Sequence, residues 1–165
     1  MRVRFAAVIV VLLVLAGACE RGRARGHDAS PAPGTTTIER VVDGDTIVVR
    51  GGERVRLIGM DTPETVDPRR PVQCFGEAAS RRMKQLLPVG TAVRLVYDVD
   101  RYDRYGRTLA YVYRASDGLF VNAALVQDGY AVAYTVPPDV AHADEFVALQ
   151  REARRAGRGL WTKCR

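Results

Sequence analysis

The sequence predicts a mainly β fold with α elements: an OB-like five-stranded β-barrel packed with three helices. Three observations carry this. Runs of strand length rich in Val and Ile recur five times between turn residues. Helical spacing occurs once between those runs and twice after them, so it does not alternate with each strand. Five short strands closed on themselves bury more apolar surface than an open sheet and leave no long bare edge.

The elements follow in order. Ile38–Val42, Thr46–Arg50 and Arg54–Met60 are short and separated by Asp43-Gly44-Asp45 and Gly51-Gly52-Glu53, both turn chemistry, and predict a three-strand meander. Cys74–Leu87 shifts to helical spacing, with Ala78, Ala79, Met83, Leu86 and Leu87 able to share a face, and Pro88 with Gly90 ends it. Val93, Leu95 and Tyr97 then alternate with other residues, and Thr108–Tyr113 returns after the Tyr105-Gly106 turn as the second arm of a hairpin. Phe120–Gly129 and Val140–Ala156 read as helices, the second amphipathic through Phe146, Leu149 and Ala153.

Ahead of the barrel, Arg2 and Arg4 precede an unbroken apolar stretch from Phe5 to Ala16. Such a run is the length of a signal-peptide core and falls short of the roughly 20 residues that span a bilayer, so residues 1–18 are expected to direct export. Ala16-Gly17-Ala18 suits an export peptidase, and Cys19 follows directly. Two routes stay open: plain secretion, or lipid anchoring to the membrane through Cys19, for which the large aliphatic residue expected three places earlier is Ala16. Either places the protein outside the cytoplasm, in a cell that the signal marks as bacterial. Residues 19–35, with their Arg, Gly and Pro, have no apolar period and are expected to be a flexible spacer before a domain at 36–165.

Composition bounds the function. Hydrophobic residues make up 47% and charged residues 27%, which excludes wholesale disorder. Twenty-five Lys and Arg against nineteen Asp and Glu give +6, or +4 without Arg2 and Arg4, a balance that favours polyanionic partners. Three cysteines and two distant histidines, His27 and His142, cannot build a closed zinc cage. In an exported protein, Cys74 and Cys164 are better explained as a disulfide pinning the tail than as two free thiols.

Chemistry gathers in three clusters: Asp43-Gly44-Asp45-Thr46, Asp61-Thr62-Pro63-Glu64 and Asp103-Arg104-Tyr105-Gly106-Arg107. Each alone reads as a turn. Together, up to four acids in a basic protein invite a hard cation, calcium or magnesium, while Arg56 and Arg107 suit bidentate contact with phosphate oxygens. That is equipment for phosphodiester cleavage. One geometric difficulty stands: Arg56 and Asp61 have opposite parity on a regular strand, and Gly59 is where a bulge or twist could reunite them.

These clusters, with Arg56–Glu64 read as one run, Phe75-Gly76-Glu77-Ala78-Ala79 and Gly159-Leu160-Trp161, occur in the order of the thermonuclease family, which the chain resembles from about Ile38 onward. The resemblance implies an OB-like barrel with three helices and calcium-dependent cleavage of DNA and RNA that leaves 3′-phosphate ends. It assigns Asp45, Asp61 and the Thr62 carbonyl as Ca2+ ligands and Asp43 to an outer position. Glu64 takes the place of the general base, and Arg56 and Arg107 those of the phosphate-binding catalytic arginines. Arg104, Tyr105 and Tyr134 match nucleotide-holding positions, although the family carries lysine where Arg104 stands and a second tyrosine where Val136 stands. The segment Val66–Gln73, with Arg69 and Arg70, resembles a mobile basic loop over the nucleotide. A monomer is expected, since such barrels complete their site alone. Two other classes of reading remain beside a nuclease. One is a non-catalytic OB-fold module that binds nucleic acid at the cell surface; it predicts loss of at least one of Asp45, Arg56, Asp61, Glu64 and Arg107, all of which are present. The other is a surface-anchored structural or lipid-binding domain, which only the signal, spacer and charge support.

Overall fold

A computed structural model of the protein describes residues 34–65 and 71–164. The expected export signal, nearly all of the spacer including Cys19, and the basic stretch with Arg69 and Arg70 lie outside the described residues.

Strands β1 (Thr35–Val41), β2 (Thr46–Val49) and β3 (Glu53–Leu57) form the meander. Helix α1 (Gly76–Leu86) follows a two-residue strand, β4 (Met60–Asp61), and precedes the hairpin of β5 (Ala92–Val96) and β6 (Thr108–Arg114). The chain ends with α2 (Val121–Gln127), β7 (Val132–Ala133), α3 (Ala143–Arg155) and a final turn, α4 (Leu160–Lys163). The barrel is closed in the order β1-β2-β3-β6-β5. All its pairings are antiparallel except that of β3 with β6.

Closure depends on β1 serving two neighbours. Its first half pairs β5, Thr35 opposite Arg94, while Ile38 to Val41 pair β2 across an irregular register. The strand so bent removes both sheet edges. Inward-facing Ile38, Ile47, Val49, Val55, Leu57, Val93, Ala110 and Val112 are buried, and Met83 of α1, Leu125 of α2 and Phe146 of α3 cover the barrel.

Three departures from the sequence reading bear on the site. Strand β3 stops at Leu57, three residues short of the expected Met60, because Gly59 takes φ +78° and turns the chain before β4. A Cβ at Gly59 would also collide with the Phe146 ring, so this turn is seated directly against α3. Buried Asn122 of α2 secures it, donating to the Ile58 carbonyl at 3.0 Å and accepting from the Val112 amide at 2.9 Å. Helix α1 starts at Gly76, not Cys74, since Phe75 adopts φ +69° and stacks its ring 5.2 Å from that of Tyr130. The pair β4–β7 and the turn α4 are additional elements. A disulfide joins Cys74 to Cys164 with the Cα atoms 5.8 Å apart, tying the start of α1 to the end of α4.

Candidate active site

The acids are delivered by turns at one end of the barrel. Asp43-Gly44-Asp45 links β1 to β2, and its closure is local: the Asp43 carboxylate accepts the Asp45 amide at 3.1 Å, an Asx turn. A Cβ at Gly44 would lie 2.7–2.9 Å from the Thr62 side chain, so only glycine lets the two acidic segments approach this closely. Thr62 then donates to Asp45 twice, from its amide at 3.2 Å and its hydroxyl at 2.9 Å, while Thr46 gives its hydroxyl to the other Asp45 oxygen at 3.0 Å. Asp45 is almost fully buried and fixed from both sides.

Arg56 stands between the acids. One guanidinium nitrogen pairs with Asp45 and the other with Asp61 at 2.6 Å. The parity difficulty thus has a structural answer: the Gly59 turn lets β4 bring Asp61 back to the side that Arg56 faces. Burial pushes the Asp43 carboxyl up from its ordinary value. It outweighs the downward pull of the Thr46 main-chain hydrogen bond and the Arg56 charge, and the charge of Glu64 adds to the rise.

Glu64 lies just beyond, its main chain gripped twice by Gln73. Its amide donates to the Gln73 side chain at 2.9 Å, and its carbonyl accepts the Gln73 amide at 2.9 Å. One carboxylate oxygen also accepts the Thr65 amide at 2.7 Å. On the opposite wall, Asp103 organises Arg107: it accepts the Arg107 guanidinium at 2.6 Å, the Arg107 amide at 2.9 Å and the Tyr105 amide at 2.8 Å. Burial raises the Asp103 carboxyl, but these bonds prevail and hold it below the usual aspartate value.

Two cavities meet along Arg56 and Arg107. The acidic one, of about 330 Å³, is lined by Asp43, Asp45, Asp61, Thr62 and Glu64, with Gln73 and Arg54 at its margin. The other, of about 520 Å³, is lined by Arg104, Tyr105 and Tyr134 together with Tyr102. Tyr105 lies between two guanidiniums, 4.9 Å from Arg104 and 5.5 Å from Arg107. Among the described residues, every site residue picked from the motifs therefore lines one of two adjoining hollows, except Cys74 and Cys164. Gln73 and Asp103 were not singled out as supports; the spacing of Asp103 and Arg107 around Gly106 is the one local signal that could have marked the second pair.

The donor set of the acidic cavity suits a hard divalent cation. Two carboxylates converge on one positive group there, the acids and Thr62 offer oxygen donors, and among the described residues no thiol or imidazole lines the hollow. Among the described residues, no three His, Cys, Asp or Glu side chains are grouped as a metal cage, so Asp45, Asp61 and the Thr62 carbonyl would need water to complete a shell.

Residues 54–163 match the family described as Staphylococcal nuclease homologue. The chain belongs to that family. The chain is 45% identical over 129 residues to the thermonuclease of Staphylococcus intermedius, covering 76% of this chain and 75% of that protein. It is 40% identical over 131 residues to the thermonuclease of Staphylococcus hyicus, with 78% and 76% covered. Against Endonuclease YncB of Bacillus subtilis it is 42% identical over 132 residues, 77% of this chain and 61% of that one.

Proposed function

We propose that this protein is an exported, calcium-dependent nuclease that hydrolyses DNA and RNA to leave 3′-phosphate ends. That it is a nuclease, a hydrolase of phosphodiester bonds, follows from its family and its thermonuclease and endonuclease relatives. The single observation behind the finer reading is the convergence of Asp45, Asp61, Glu64, Arg56 and Arg107 on one hollow.

The chemistry follows from charge. A phosphodiester repels an approaching hydroxide, and its pentacovalent transition state gathers more negative charge on the phosphoryl oxygens. Arg56 and Arg107 are proposed to bind those oxygens; that both line the two cavities, with Asp103 holding Arg107, supports this reading. Glu64 is the carboxylate proposed to take a proton from the attacking water as its oxygen bonds to phosphorus; the bond from phosphorus to the 5′ oxygen of the leaving sugar breaks, that oxygen takes a proton from solvent water, and the 3′-phosphate remains. A carboxylate is a weak base near neutrality, so electrostatic stabilisation carries most of the acceleration. A bound calcium ion would supply Lewis-acid polarisation of the phosphoryl group at Asp45, Asp61 and the Thr62 carbonyl. Arg56 pairs with both of these aspartates and so lies beside the site that would hold the ion.

Arg104, Tyr105 and Tyr134 are proposed to hold the nucleotide beside the scissile phosphate. Export rests on the sequence of residues 1–18, with Cys19 as the lipidation site if the protein is anchored, and a monomer is proposed. Among the described residues no helix is long and apolar enough to cross a membrane.

Purified protein lacking residues 1–18, incubated with plasmid and RNA in calcium or chelator, tests this reading. Both substrates should be degraded only with calcium, and the products should accept label only after a phosphatase frees their 3′ ends. Glu64→Ser and Arg107→Gly should each cut about 100-fold more slowly or worse while melting as folded proteins. Unchanged cutting by either variant would remove its catalytic role.

A further inference from the structure

A third cavity, of about 710 Å³, adjoins the two described, and the proposed mechanism gives no role to its Arg54 and Tyr102. Its walls are Gly52, Glu53 and Arg54 where β3 begins, and Tyr102, Tyr105, Arg107 and Thr108. Arg54 and Arg107 are shared with the acidic cavity, and Tyr102, Tyr105 and Arg107 with the tyrosine cavity. Arg107 is thus the junction of all three hollows.

Arg54 precedes Arg56 by two residues on β3, and with Val55 and Leu57 buried both arginines face outward. Their surroundings differ. Arg56 is held by two carboxylates, whereas among the described residues no hydrogen bond or ion pair holds the exposed Arg54 guanidinium. Glu53, the acid of this cavity, accepts the Thr108 hydroxyl. Two guanidiniums against one carboxylate leave the hollow positive. Tyr102 is 60% exposed, yet its main chain is fixed by a bridge to Thr108, so an aromatic surface stands ready on a set backbone.

We infer that this cavity is a second nucleotide subsite. It takes the nucleotide across the scissile phosphate from the one held by Arg104, Tyr105 and Tyr134, with Arg54 on the next phosphate and the base stacked on Tyr102. The inference rests on the nuclease reading and deepens it: the hydrolase would grip the nucleotides on both sides of the bond it cuts, with Tyr102 as the stacking surface on the second side.

Two substrates separate the possibilities. One is a single-stranded hexanucleotide; the other is a nucleoside phosphodiester whose second ester is a methyl group, too short to enter the third cavity. Arg54→Ala and Tyr102→Ala should each lower kcat/KM on the hexanucleotide about tenfold, through KM, and the loss on the hexanucleotide should exceed the loss on the methyl ester about fivefold. Tyr102→Phe should restore the hexanucleotide. In a Glu64→Ser background, fluorescence anisotropy of labelled hexanucleotide in calcium should show the same loss of affinity. Arg54→Ala should also flatten the salt dependence by about 0.7 in log–log slope. Equal losses on both substrates, or unchanged affinity for the hexanucleotide, would overturn the subsite. Wild-type protein that cuts neither substrate would overturn the nuclease reading itself.

Discussion

Arg56 meets Asp45 and Asp61 with its two outer nitrogens, and Arg107 meets Asp103 with the nitrogen nearest its stem. These pairs do different work. Asp103 bonds the turn main chain as well as the side chain, so it fixes the direction of Arg107 while holding only the nitrogen nearest the stem. Its carboxyl lies below the ordinary 3.8 because those hydrogen bonds overcome burial. A carboxyl lowered on folding stabilises the native state above its unfolded value, and that contribution disappears as pH falls through the folded value. Asp103→Asn should therefore be less stable than wild type near neutrality, with a difference that narrows as pH is taken below about 3.8. Urea unfolding across that range measures it, and a pH-independent gap would show that the charge is not the cause.

At the level of elements, the Gly59 turn decides whether the site exists. It ends β3, starts β4 and rests against Phe146, with Asn122 fastening the carbonyl before it. Gly59→Ala combines a side chain in left-handed backbone with a clash against a buried ring, and should cost about 2–4 kcal/mol. Activity should fall further than stability explains, as Asp61 moves away from Arg56. Thermal unfolding and hydrolysis at a temperature where the variant is fully folded check both halves.

The strands and the three longer helices were legible in the sequence because period-two and helical patterns, and the turns between them, are local properties. The two-residue partners β4 and β7 and the single turn α4 carry no period to read. Phe75 could not be read either, since its left-handed backbone is imposed by its surroundings and not by its type. The residues of the candidate site were visible as motifs, but the grip of Gln73 on Glu64 joins residues whose intervening sequence has no regular pattern.

Across the whole molecule, one covalent link joins the start of α1 to the C-terminus over a sequence separation of 90. Closing so long a loop restricts the unfolded chain, and Cys74→Ser with Cys164→Ser should lower stability by about 2–4 kcal/mol, measured by denaturant unfolding under non-reducing conditions. Cys74 follows directly after Gln73, so the same double variant should also slow hydrolysis by loosening the segment that fixes Glu64. Four carboxylates face three guanidiniums in the acidic cavity, and that excess of negative charge is what a divalent cation would balance. Calorimetric titration of calcium into wild-type protein and into Asp61→Asn tests this most directly. The wild type should bind one calcium ion, over the same concentration range that switches on hydrolysis, and Asp61→Asn should lose both while keeping its fold. Full hydrolysis in chelator, or calcium binding unchanged in Asp61→Asn, would contradict the account.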